Sequence, residues 1–200
     1  MVPKVSAAYM RARREEILDA ATTVFSARGF HAATVDDVAA AAGVSKGSLY
    51  LHFDSKESMI DGLAEKWHAV DAEAFDAADR ERSPVDGLAL VAKTSIRRMQ
   101  REDFGESARL GVFLWAEVLV NPAVAKTQMK LVDEWRRRVH SLAVRAQEAG
   151  EIGPEHDAWG ITTFLGALTL GLFIAESWGF RSGQAALELQ VDSFIGSLKP

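Results

Sequence analysis

The chain has 200 residues, 48% of them hydrophobic and 26% charged, which describes a globular protein of one to two domains with a sizeable core. It contains no cysteine, which excludes a disulfide framework and a thiolate metal site and suits a reducing cytoplasm. The net charge of −5 argues at first against a nucleic-acid partner, but residues through Lys56 carry 7 Lys+Arg against 6 Asp+Glu while the remainder carries 16 against 22, so global charge does not decide the matter.

Met1 to Ala8 reads as a loose arm, and Met1–Met10 has no apolar core of signal-peptide length. Lys4, Arg11, Arg13 and Arg14 cluster before the first helix, and Arg11, Arg13 and Arg14 either touch phosphates or form a solvated helix start. A first helix follows, with Ile17, Ala20, Ala21, Val24 and Phe25 on one core stripe, and ends at Gly29. His31 reads as a surface loop residue.

The stretch from Thr34 to Lys56 organises the rest. Thr34 and Asp37 form a capping-box pattern, and Val35, Val38, Ala39 and Ala42 recur on one helical face. Gly43 can take the left-handed conformation that stops a helix, and Val44 can plug the angle to the next one. Ser45 restarts the chain as an N-cap and Leu49 points back at the same small core. Lys46, Ser48, Tyr50 and His52 are left facing outward. The pattern is two helices joined by a tight turn, the second short enough to offer its first residues to a major groove.

These residues carry a family resemblance. ILDAATTVFSARGF, T-x-x-D-V-A, A-A-G-V-S-K-G-S-L-Y and H-F-x-S-K-E, in register from about Arg14 to Met59, resemble the DNA-binding domain of the TetR (tetracycline-repressor-like) family. The resemblance implies a repressor released from DNA by a small molecule, and it implies a phosphate clamp at Lys56; the homodimer and its near-palindromic operator are expected from the apolar C-terminal helices. Two positions depart from the family pattern. Leu51 stands where members often carry an aromatic residue or His. Asp36 stands where some place a base-reading Arg, and no base reading is carried onto it.

Beyond Ser55, Met59, Ile60, Leu63, Ala64, Trp67 and Val70 make a fourth helix that can link the head to what lies behind it. Asp71 to Ser83 is acidic and polar, and Pro84 restarts a helix with Leu88, Val91, Ala92, Ser95 and Met99. After a break at Phe104–Gly105, LGVFLWAEVLV is apolar on nearly every side and predicts a buried helix. The next helix carries Val132, Trp135, Val139, Leu142, Ala143 and Ala146 to Gly150, with Arg136–Arg137–Arg138 on a solvated face. From Ala158 to Ala175 no charge occurs, yet Thr162, Thr163, Thr169 and three glycines favour a helix buried on two faces over a membrane span. Ile161, Phe164, Leu165, Leu168 and Leu172 make one stripe, and Ala167, Gly171 and Ala175 a second. With the last helix (Leu187, Val191, Phe194, Ile195 and Leu198) this predicts a subunit interface.

No phosphate loop, H-E-x-x-H pair or nucleophile elbow is present, and the five histidines lack metal-ligand spacing, so no catalytic residue, metal site or cofactor is expected. For duplex DNA, Lys46 can donate to guanine O6/N7 or phosphate, and Tyr50 can meet a thymine methyl and a phosphate. Ser45, Ser48, His52 and Thr34 suit backbone oxygens, while Gly47 permits close approach. For an apolar or aromatic effector the candidates are Trp67, His68, Met99, Phe113, Trp115, Glu117 and Trp135, with Glu117 as a polar anchor or else paired to a neighbour such as Arg109. The expectation is therefore an all-α cytoplasmic DNA-binding regulator. Residues 1–56 form the helix-turn-helix head and 57–200 the ligand-binding and dimerisation domain, with no membrane partner. The alternative is a helical-bundle ligand carrier or enzyme using the head for protein contacts.

Overall fold

The computed structural model describes residues 6–101, 104–180 and 183–200, so Lys4 lies outside the described residues. Among these there are nine helices and no strand. They are α1 (Ala7–Arg28), α2 (Val35–Ala41), α3 (Lys46–Tyr50), α4 (Lys56–Ala78), α5 (Pro84–Met99), α6 (Phe104–Val120), α7 (Pro122–Glu148), α8 (Ala158–Ser177) and α9 (Gln184–Ser197). The chain divides into two compact units: Met1–Glu65 with Arg109–Gln128, and Lys66–Ala108 with Met129–Pro200.

The first unit is built on one core. Ile17, Leu18, Ala21 and Phe25 of α1 close on Val38 and Ala39 of α2, Leu49 of α3, Phe53, and Met59, Ile60 and Leu63 of α4. Leu110 and Leu114 of α6 and Val124 of α7 join them. Ser6 caps α1 by accepting from the Tyr9 N–H at 3.2 Å, so α1 starts inside the segment expected to be a loose arm. Gly43 sits at φ 64°, where a residue with a Cβ is strained, and its position ends α2.

Leu110 and Leu114 are buried, but α6 is not the enclosed helix its composition predicts. Val112, Phe113, Leu119 and Val120 are exposed, Leu119 at 84%. Val112 and Leu119 lie on the face turned away from the leucines that enter the core, and Phe113 and Val120 at its flank. A run that is apolar all round fixes no single buried face, which is why the sequence did not reveal this one.

In the second unit, α5 contributes Val85, Leu88, Val91, Ala92 and Ile96 to a core shared with Val139, Leu142, Ala143 and Ala146 of α7. Ile161 and Leu165 of α8 and Val191 and Ile195 of α9 complete it. The α4 helix runs on to Ala78, through a segment whose acidic composition reads as a break. Its buried Ala74, Phe75 and Ala78 explain the extension. Gly87 makes the approach to α4 possible, since a Cβ there would meet the Ala78 carbonyl oxygen at 3.1 Å. Arg138 ties α7 to α4, donating to Asp76 at 3.0 Å and Asp79 at 3.2 Å and lying over the Phe75 ring.

The α8 helix is long and apolar enough to cross a membrane by length and composition, as a core helix of a soluble protein also is. It buries Ile161, Thr162, Leu165 and Phe173, while Phe164, Ala167, Leu170 and Gly171 are exposed. One of the two expected buried faces is therefore open in the single chain.

Candidate nucleic-acid interface

The surface centred on α3 is assembled by caps. Thr34 Oγ1 accepts from the Asp37 N–H at 3.1 Å, and the Thr34 N–H donates back to Asp37 Oδ2 at 2.9 Å. The Thr34 hydroxyl also donates to Asp37 Oδ2 at 2.8 Å, so both of its donors are spent within the cap. In the unbound chain these bonds make Thr34 the cap that orients α2. These bonds to Thr34, with the Arg28 charge beside them, hold the Asp37 carboxyl below the usual carboxylate range.

Ser45 Oγ accepts from the Ser48 N–H at 3.1 Å and sets where α3 begins. Gly47 is exposed, and a Cβ there would have nothing within 4 Å. Tyr50, 43% exposed, projects from the far end of the helix, followed by an exposed Leu51. His52 is half-buried, and burial with the Arg14 and Arg13 charges pulls its imidazole below the ordinary value.

The cations are more engaged than their positions in the sequence imply. Lys46 Nζ lies 2.9 Å from Asp36 Oδ1 and 3.1 Å from Oδ2, a hydrogen bond and charge that raise the lysine above its ordinary value. Lys56 Nζ donates to the carbonyls of Phe30 at 2.6 Å and Ala33 at 3.0 Å and sits 4.2 Å from the Phe30 ring centroid. Two of the three N–H donors of its ammonium are thus engaged. Arg13 is bound to Glu16 and Tyr9, and Arg14 lies over Phe53 and near Glu65. Arg11 alone of these three is exposed with no partner among the described residues.

The seven effector candidates divide between the units. In the second unit Trp67 meets Phe173 edge-on at 5.6 Å, Met99 is buried, and Trp135 packs on Phe75 and against Gly166. His68 Nδ1 faces Asp71 Oδ2 at 3.3 Å, and Arg98 bridges Asp71 Oδ1 and the Trp67 carbonyl. In the first unit Phe113 is exposed, Trp115 half-buried, and Glu117 buried. Glu117 is bound to His31, not to Arg109. The i,i+3 spacing of His68 and Asp71 was visible in the sequence. The His31–Glu117 and Lys46–Asp36 pairs join separate elements and left no local signal. No group of three or more His, Asp or Glu able to hold a metal occurs among the described residues.

A capped α2, a tight turn and an α3 with its outer residues open define a helix-turn-helix DNA-binding protein. Residues 17–63 match the family described as "Bacterial regulatory proteins, tetR family". The chain is 33% identical over 187 residues to the HTH-type transcriptional regulator UidR of Escherichia coli K12, covering 87% of this chain and 90% of that one. It is 63% identical over 51 residues, 26% of this chain and 25% of that one, to the HTH-type transcriptional repressor KstR2 of Rhodococcus jostii. The structure of Salmonella enterica GusR superimposes with a TM-score of 0.78 at 25% identity, over 98% of both chains. The chain belongs to the TetR family and is a DNA-binding transcriptional regulator, not an enzyme.

Proposed function

We propose that this regulator is a cytoplasmic homodimeric repressor that leaves a near-palindromic operator when it binds a small apolar or aromatic molecule. The observation that carries the dimer is the open face of α8. Trp159, Phe164 and Leu170 are exposed there beside the small Ala167 and Gly171, and Phe164 packs at 4.3 Å on Phe194 of α9. Large exposed apolar residues beside small ones suit close, self-complementary helix packing about a two-fold axis. Each protomer has one α3, so two-fold symmetry gives two reading helices and a palindromic site.

In this reading residues 1–56 act as the head and 57–200 as the effector and dimerisation domain. Lys46, Gly47, Ser48, Tyr50 and the Ser45 hydroxyl face the duplex. His52 and the remaining N–H of Lys56 reach phosphates, with Thr34 as the cap that aims α2. The effector part rests on Trp67, Met99 and Trp135 with the His68–Asp71–Arg98 cluster, mainly aromatic side chains beside few polar groups; Trp67 packs on Phe173 and Trp135 on Phe75, so an effector has to open the space it fills. Release requires the effector to favour the conformation that does not bind DNA, a coupling of about 1–3 kcal/mol. Sedimentation of the free protein and titration of duplex DNA over a salt series test the core of the proposal. A monomer at micromolar concentration that binds operator tightly would overturn it.

A further inference from the structure

Among the described residues, Lys46 and Asp36 form the ion pair that joins α2 to α3, on the face that the proposed function turns to the duplex. The side chains are 54% and 66% exposed, and Nζ is within reach of both carboxylate oxygens at 2.9 and 3.1 Å. A pair this exposed contributes little to stability. Asp37, and not Asp36, completes the α2 cap. In the first turn of α2 the charge of Asp36 is favoured by the helix N-terminus, a modest stabilisation at an exposed site, while on a surface that approaches phosphates a carboxylate opposes binding. Its chemistry fits a base edge instead. In the major groove a G·C pair offers guanine O6 and N7 as acceptors beside the cytosine N4 amino donor, and a carboxylate is the group that accepts from cytosine N4. Lys46 and Asp36 present the complementary arrangement, an ammonium donor next to a carboxylate acceptor.

We propose that Asp36 and Lys46 work as one reader of a G·C base pair at each recognition helix. Asp36 accepts from cytosine N4 and Lys46 donates to guanine O6 or N7. Away from that base pair the carboxylate keeps the ammonium occupied and off the phosphates, so Asp36 is a specificity-determining residue that suppresses binding to random DNA. The inference rests on α3 being the reading helix.

The test is selection of binding sites from a random duplex library with full-length wild type, Asp36→Ala and Asp36→Asn, together with salt titrations on random duplex. Wild type is expected to select a motif with a fixed G·C position. Asp36→Ala should relax that position to no more than about twofold preference, bind random duplex more tightly, and steepen the salt slope by about one unit per helix as the freed Lys46 reaches a phosphate. Asp36→Asn should move the preference toward A·T, because an amide pairs with adenine N6 and N7. Thermal unfolding verifies that each variant folds, and Asp36→Asn carries the test should Asp36→Ala not fold. A wild-type motif that both variants reproduce at every position overturns the inference and leaves the DNA-reading role of α3 intact. A wild type that selects no motif overturns both.

Discussion

His31 Nε2 stands 2.7 Å from Glu117 Oε1, so the loop that feeds α2 holds the buried carboxylate of α6. The other oxygen, Oε2, is buried with no hydrogen-bond partner among the described residues. His31 thus supplies the compensation on which burial of this acid depends. His31→Ala should destabilise the protein by about 1–3 kcal/mol, the range for a buried polar group left unpaired. His31→Ala with Glu117→Met should recover most of that loss, since removing both partners leaves nothing unsatisfied. Denaturant unfolding of the two single variants and the double variant gives the coupling, and strict additivity would show that the contact is energetically idle.

Lys56 braces the same loop through two carbonyls and an aromatic face. Lys56→Met should therefore cost about 1.5–3 kcal/mol of stability, the range for hydrogen bonds from a charged group. At a temperature where the variant remains folded, its salt slope on DNA should fall by about one unit, reporting the phosphate held by the third N–H. Stability unchanged beside a reduced slope would mean that Lys56 is only a clamp and not a brace.

Much of the head was legible because its signals are local. Thr34 and Asp37 lie three residues apart, Ser45 precedes Ser48 by three, and Val38 and Ala39 follow Val35 at helical spacing. The long-range pairs were hidden because nothing in the sequence near His31 points to Glu117. Composition misled at α4, where acidic residues on the outer face masked Ala74, Phe75 and Ala78 on the inner one. At α6, apolar residues on every side masked which of them the core takes. The effector candidates had the same weakness: an aromatic side chain at helical spacing serves a core as well as it lines a cavity, and Trp67 and Trp135 pack in that way.

Arg97 grips Glu188 with two parallel contacts, Nε to Oε1 at 2.9 Å and Nη2 to Oε2 at 3.0 Å, and Gln184 donates to Oε1 at 2.7 Å. These bonds, Arg97 first, hold the Glu188 carboxyl at about 2 against an ordinary 4.5. A folded pKa below the unfolded one contributes stability that is fully present above the unfolded value and is lost as pH falls through the folded one. The melting-temperature difference between wild type and Glu188→Gln should therefore be constant from about pH 7 to about pH 5 and shrink steadily below that. A difference that stays constant to about pH 3 would show that the ionised carboxylate is not its source.

Phe164 is 48% exposed on α8, and Gly171 on the same helix has open space where a Cβ would stand. Phe164→Asp and Gly171→Leu should each leave the single chain folded while preventing two copies of α8 from approaching closely. Light scattering should show a wild-type dimer and two helical monomers, with operator affinity reduced at least tenfold because the second reading helix is lost. Dimers of unchanged stability in both variants would move the interface elsewhere.

Tyr50 carries the last prediction. Its ring and hydroxyl project from the C-terminal end of α3, in the same helix whose Leu49 is wholly buried, so the backbone beneath it is fixed by the core. A ring on so firm a base can meet a thymine methyl, and its hydroxyl can reach a phosphate without drawing on the stability of the head. Tyr50→Ala should weaken operator binding by about 1–3 kcal/mol, the range for one good base contact, and leave the melting temperature nearly unchanged. It should leave the salt slope unchanged as well, because no cation is removed. Tyr50→Phe separates the two contacts: if the ring reads a methyl, the phenylalanine variant keeps the preference for thymine at that position and loses only affinity common to all sequences. Equal losses on operator and random duplex for Tyr50→Ala would show that Tyr50 positions the helix on the backbone and reads no base.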